Sequence, residues 1–242
     1  LTMLDLGGLG LTSAPERVFA FTHLTRLSLT GNALTELPPA IGLLQQLTQL
    51  DLQSNRLTAL PPEIGRLTGL VTLCVQDNAL THLPPEIGLL TGLHELAVSD
   101  NALQALPDEI GALTALVALD LHSNQLRELP AAVGQLAELA ELSLYGNQLT
   151  TLPDEFAQLR NLTGLGLNDN AFQAMPPALC ALPELNELYM SNNRLASVPA
   201  EIGQLTQLRQ LDLSDNQIAA VPPTIGRLNN LTELNLQGNR LT

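Results

Sequence analysis

The chain has 242 residues, of which 58 are leucine, and its ten arginines, absent lysines and 24 acids give a net charge of −14. So apolar and weakly charged a composition excludes a disordered chain, and its acidity excludes a general nucleic-acid binder. No stretch approaches the ~18–20 consecutive apolar residues of a membrane span, so the leucines must be periodic instead.

From its first residue the chain resolves into ten repeats of 23 residues starting at 1, 24, 47, 70, 93, 116, 139, 162, 185 and 208, with a partial repeat over 231–242. Asn32, Asn55, Asn78, Asn101, Asn124, Asn147, Asn170, Asn193, Asn216 and Asn239 all fall at position 9, and proline holds position 15 from Pro15 to Pro222. Self-similarity at such a period marks a solenoid or array. In residues 47–69, LTQLDLQSNRLTALPPEIGRLTG, the leucines at positions 4 and 6 alternate as in a short strand with one buried face. The position-9 amide is expected to turn the chain and satisfy neighbouring backbone groups, so that the stacked asparagines form an internal ladder. Leucines at 11 and 14 point inward again, and proline at 15 imposes an extended return. The following Ile-Gly-x-Leu reads as a short 3₁₀ turn in which glycine provides close packing or positive φ. No unit buries its own apolar face, so stacking must make the core continuous.

The pattern LxxLxLxxNxLxxLPxxIGxLxx resembles the leucine-rich repeat family over all 242 residues. Its LPxxIG variant is similar to the intracellular repeats of plant Ras-group-related proteins, animal Ras-pathway scaffolds and fungal adenylate cyclase, and to those of some bacterial type III effectors. The resemblance implies an α/β, right-handed horseshoe solenoid with a concave parallel β-sheet and short 3₁₀ or extended convex segments. Residues 1–242 would form one such domain. Neither end carries a recognisable polar cap, so the chain is expected to be a fragment of a longer protein.

Departures from the consensus, in chain order, narrow the reading. Repeat 1 has Leu9 in place of asparagine and Ala14 in place of leucine, with Phe19 and Phe21 beyond, a drift that suits an end of the array. Cys74 and Cys180 lie four repeats apart, roughly 19 Å, which is too far for a disulfide. That favours a reducing compartment, and the cytoplasm is the expected location. The sequons at Asn161 and Asn230 are the chance triplets of Asn- and Thr-rich repeats. The four histidines occupy unrelated repeat positions and are expected on the surface, with nothing to gather them around a metal.

Positions 2, 3, 5, 7 and 8 are expected to face the concave side or its edges. Position 3 holds Glu95, Glu141, Glu187 and Glu233, position 5 holds Asp5, Asp51, Asp120 and Asp212, and position 8 holds Asp77, Asp100, Asp169 and Asp215. Twelve of the 24 acids therefore stand in these columns, against only Arg26 and Arg209. The bias reads either as a solubilising face or as complementarity to a basic protein partner. The only two tyrosines, Tyr145 and Tyr189, share this face, with His122 and Asn168 in the column of Tyr145 and Gly164 and Gly166 leaving a depression between them. Tyrosines beside a depression are typical anchor sites for a protein or peptide. Repeat 8, with Phe172, Met175 and Cys180, also reads as one that has simply drifted. The candidate contact residues are His122, Tyr145, Asn168, Tyr189, Glu95, Glu141, Glu187, Asp120 and Asp212.

No GxxxxGKS/T, GxSxG, HExxH or kinase signature occurs. The expected function is a non-catalytic module that binds a protein partner through an acidic concave face, with no cofactor, metal, nucleic acid or membrane span. Two alternatives stand beside it. One is the recognition domain of a larger signalling enzyme or secreted bacterial effector, its GTPase, kinase or ubiquitin-ligase unit lying outside this chain. The other is an exported adhesion or surface protein. The missing lysines suit a GC-rich genome, or equally the avoidance of ubiquitination.

Overall fold

A computed structural model describes residues 1–242. Every repeat contributes a three-residue strand at positions 3–5: β1 (Met3–Asp5), β2 (Arg26–Ser28), β3 (Gln49–Asp51), β4 (Thr72–Cys74), β5 (Glu95–Ala97), β6 (Ala118–Asp120), β7 (Glu141–Ser143), β8 (Gly164–Gly166), β9 (Glu187–Tyr189), β10 (Gln210–Asp212) and β11 (Glu233–Asn235). They form one parallel sheet of 11 strands in sequence order, each residue pairing with the one 23 further on, as in Leu50↔Leu73 and Leu73↔Leu96. A slip of one residue would turn every buried leucine outward, so the unbroken period is what fixes the register.

Opposite the sheet, each full repeat makes a five-residue 3₁₀ turn at positions 16–20, such as Pro62–Arg66 and Pro85–Leu89. No α-helix occurs, so the expected α/β solenoid is built from strands and 3₁₀ turns alone, joined by the right-handed crossover that parallel strands require. Proline at position 15 sets the entry: Pro84 has φ −69° and ψ 147°, and its carbonyl accepts from the Ile87 N–H at 2.9 Å. Glycine at position 19 packs closely and does not take positive φ. A Cβ on Gly88 would stand 2.6 Å from the carbonyl oxygen of Glu109 in the next repeat.

Positive φ belongs instead to position 8, in all 11 repeats. Gly8, Gly31, Ser54, Asp77, Asp100, Ser123, Gly146, Asp169, Asn192, Asp215 and Gly238 have φ between 50° and 70°. The chain thus leaves the strand one residue before the asparagine expected to turn it.

The repeated leucines, isoleucines and valines fuse into a single core of 66 buried residues. Beside it runs the asparagine ladder. Asn124 Oδ1 accepts from the Leu103 N–H at 2.9 Å, while its Nδ2 donates to the Val98 carbonyl of the preceding repeat at 3.0 Å and to Leu121 of its own at 3.1 Å. The other nine asparagines repeat this arrangement, each accepting from the position-11 N–H of the repeat before. The two sequons also have inter-repeat bonds: Asn161 and Asn230 donate to the carbonyls of Ala137 and Thr206, and Thr163 and Thr232 to those of Ala140 and Arg209.

Removing one rung strands a buried N–H of the preceding repeat and takes one of two amide donors from a carbonyl on each side. Asn124→Ala should cost about 1–3 kcal/mol in urea denaturation, because the Leu103 N–H loses its acceptor, while the Val98 and Leu121 carbonyls keep the Nδ2 groups of Asn101 and Asn147. A cost below about 0.5 kcal/mol would contradict a structural ladder.

Candidate functional site

Strands β6–β9 carry a trough of about 450 Å³ on the open face of the sheet. Three rows of side chains make it, because alternate strand residues point to the same face. Position 3 supplies Ala118, Glu141, Gly164 and Glu187, position 5 supplies Asp120, Ser143, Gly166 and Tyr189, and position 7 adds Tyr145 and Asn168. Gly164 and Gly166 are the floor, and β8 is the only strand that contains glycine. Neither glycine has positive φ. A Cβ on Gly166 would meet nothing nearer than Tyr145 Cδ1 at 3.8 Å, and one on Gly164 would meet only the carboxyl end of Glu141. Backbone geometry therefore does not require glycine at either place, in contrast to Gly88.

The walls are held from behind. His122 stacks on Tyr145 with ring centroids 4.3 Å apart and planes within 11°. Its Nδ1 lies 2.7 Å from Asp120 Oδ1 and its Nε2 3.2 Å from Asp100 Oδ2. Both ring nitrogens thus face carboxylate oxygens. Only 20% of the His122 side chain is exposed, so the expected surface histidine is in fact a clamp between two carboxylates. Across the trough the Tyr189 hydroxyl stands 3.0 Å from Glu187 Oε2 and 2.5 Å from Gln210 Oε1.

The local field is negative. Burial first, then Asp120 and Asp100, push the Tyr145 phenol above its ordinary value. Burial, the hydrogen bond to Glu187 and the charges of Glu187, Glu233 and Asp212 push Tyr189 up to about 12. Both rings stay neutral at physiological pH. Cys74 on β4 and Cys180 are unpaired thiols, each pushed up to about 11, mainly by burial, which keeps them protonated and poorly nucleophilic.

Six of the nine expected contact residues line the trough: Asp120, Glu141, Tyr145, Asn168, Glu187 and Tyr189. His122 backs onto it through Tyr145. Asp212 pairs with Tyr189 from β10, and Glu95 stands on β5, two strands from Glu141. The acidic columns divide by task. Position-8 aspartates sit in the left-handed turn, which Asp, Asn and Gly tolerate best. Position-5 residues cap the backbone, since Asp5, Asp51, Asp120, Asp212 and Asn235 each accept from the N–H two residues on, at 2.9–3.3 Å. Sequence reasoning missed this division and the His122–Asp100 contact, which joins positions 7 and 8 of successive repeats. No three His, Cys, Asp or Glu side chains converge as metal ligands, and no helix is long and apolar enough to cross a membrane.

Two family models match the chain: a leucine-rich repeat region over residues 1–103 and 96–191, and a leucine rich repeat over 183–241. No curated protein matches the sequence. Among solved structures, a leucine-rich repeat protein of Leptospira interrogans is 30% identical, with 99% of this chain and 90% of that one aligned and a TM-score of 0.52. The plant peptide hormone receptor RGFR1, solved in complex with RGF2, is also 30% identical over 99% of this chain and 44% of its own, with a TM-score of 0.83. The functional domain of InlJ from Listeria monocytogenes, which includes a cysteine ladder, is 28% identical over 96% and 47%, with a TM-score of 0.81. This chain thus spans less than half of the latter two.

The two kinds of glycine should separate in stability. Gly88→Ala is expected to cost about 1–3 kcal/mol by overpacking against Glu109. Gly164→Ala and Gly166→Ala should be neutral or stabilise by up to about 1 kcal/mol, because a strand gains from losing glycine. Comparable losses at all three, in urea denaturation, would mean that β8 needs its glycines for folding. In ultraviolet titration of the two tyrosines, Glu187→Gln should lower the higher phenol transition, since it removes the carboxylate charge that favours the neutral ring. An unmoved transition would refute the Tyr189–Glu187 contact.

Proposed function

The chain belongs to the leucine-rich repeat family, and from that premise we propose that it is a non-catalytic module which binds a protein partner through the open face of β6–β9. The observation that carries this reading is the trough itself: a glycine floor with no backbone need for glycine, bounded by two preset phenols. Tyrosine offers a large apolar contact area and a polar tip with little rotamer freedom to lose, which is why it serves as an interface anchor. RGFR1 is a peptide hormone receptor captured with its ligand RGF2. That likeness supports a protein or peptide as the occupant here.

The acidic surroundings favour a basic partner surface, whose approach such a field would accelerate. Two unpaired thiols suit a reducing compartment, which supports a cytoplasmic location.

Selection of peptides from a random display library on the immobilised chain tests the assignment. Selected peptides should lose at least about tenfold in affinity for the Tyr145→Ala, Tyr189→Ala double variant, the ~1.4 kcal/mol expected of two anchor residues, at unchanged urea midpoint. Their binding should weaken steadily as salt rises from 50 to about 500 mM, where screening contracts below 5 Å. Peptides that bind wild type and double variant alike would place the binding surface elsewhere.

A further inference from the structure

Three features of the trough narrow the chemistry of an occupant. The first is unbalanced charge. Asp120, Glu141 and Glu187 line the trough with no arginine among its residues, and throughout the chain the only contacts within 4.0 Å between basic and acidic side chains are the two at His122. The second is free acceptor capacity. Asp120 uses Oδ1 toward His122, Glu141 uses Oε1 toward Thr163 Oγ1 at 3.2 Å, and Glu187 uses Oε2 toward Tyr189, so the second oxygen of each carboxylate has no partner in the fold. The third is shape. Glu141 and Glu187 stand on either side of β8, their backbones two strand spacings apart, roughly 10 Å, and the Glu141 carboxylate folds over Gly164, leaving Gly166 as the open part of the floor.

Resting on the protein-binding reading, we propose that the trough takes the guanidinium of one arginine side chain from an extended segment of the partner, seated over Gly166 beside the Glu141 carboxylate that covers Gly164. A guanidinium is planar and carries five donors in a fixed fork, so it can address carboxylates on two sides at once. It also sheds water more readily than an ammonium and stacks on aromatic faces, which Tyr145 and Tyr189 supply at the two ends. The raised phenols strengthen the case, because neutral rings in a negative field remain good cation–π partners. An anionic ligand would meet three carboxylates. A neutral apolar one would leave three carboxylate oxygens desolvated and unpaired, a costly outcome. Lysine could satisfy the charge but only as a point, one carboxylate at a time.

The chain reports on this site directly, since its only tyrosines border the trough and it has no tryptophan. Titration with Nα-acetyl-arginine methylamide, followed by tyrosine emission and by the amide resonances of Gly164 and Gly166, should give a saturable change at both probes. The lysine analogue should bind at least about fivefold more weakly, the worth of roughly 1 kcal/mol of stacking and forked bonding. The isosteric, uncharged citrulline analogue should leave both probes unmoved. Glu141→Gln with Glu187→Gln, and separately Gly164→Ala, should abolish the arginine response at a urea midpoint no lower than that of the wild type. Equal responses to arginine and citrulline, a lysine response as strong as that of arginine, or shifts confined to other strands would overturn the assignment. If display peptides still depend on Tyr145 and Tyr189 while arginine moves neither glycine amide, the arginine pocket falls and the protein-binding face stands. If the peptides ignore the tyrosines as well, both fall.

Discussion

Ten asparagine side chains hold this array together, because each serves backbone groups of two repeats at once. Where the chain turns away from a parallel strand, the position-11 N–H and the position-6 carbonyl point into the interior with no ladder partner. Leaving such groups unpaired costs about 1–3 kcal/mol each. A carboxamide supplies one acceptor and two donors in a plane, which matches the demand at Asn124: Leu103 N–H in, Val98 and Leu121 carbonyls out. Because the same side chain spans adjacent repeats, an inserted or deleted residue would misplace it against its neighbour. The invariant spacing of 23 residues follows, and from the spacing follow straight columns of side chains across the sheet. The regular open face that carries the trough is a consequence of the ladder.

Columns also explain most of the acidity. Every repeat needs a residue that tolerates positive φ at position 8, and aspartate is one of four types that fill it. Every strand end leaves an N–H at position 7 facing outward, and an aspartate or asparagine at position 5 caps it in five repeats. Eight of the twelve column acids therefore have a backbone reason to be acidic or amide-like. The position-3 glutamates have none, and two of them flank the glycine strand. Net charge overstated how much of this face is devoted to recognition, while the residues left over point more sharply to β7 and β9.

This division shows what was legible in the sequence. Leu73, Asn78 and Pro84 carry their structural reason in their own chemistry, so period, sheet, ladder and 3₁₀ turn could be read from the letters. Position 8 could not, because glycine, serine, aspartate and asparagine share a tolerance for the left-handed region rather than a side-chain type, and only the full column reveals it. The pairing of His122 with Asp100 was hidden for a different reason. It links position 7 of one repeat to position 8 of the one before, so neither residue is remarkable within its own column. The tyrosines and glycines were legible as exceptions to a regular pattern, and the structure brings them together with Asp120, Glu141 and Glu187 in one trough.

A solenoid can carry such an exception because its stability is a sum of repeat and interface terms, with no single centre on which the whole depends. Gly164 and Gly166 weaken one strand of 11 locally, yet β8 stays in register through Leu165 and through the Asn170 and Asn193 rungs on either side. What the strand gives up in side chains, the neighbouring repeats use to build walls. Tyr145 is fixed by His122, which is fixed in turn by Asp100 and Asp120, so the ring has little freedom left to lose in any contact it makes. Decay of a repeat would remove contacts without adding a clamp behind them, so the His122 clamp behind Tyr145 is the feature that drift alone does not account for.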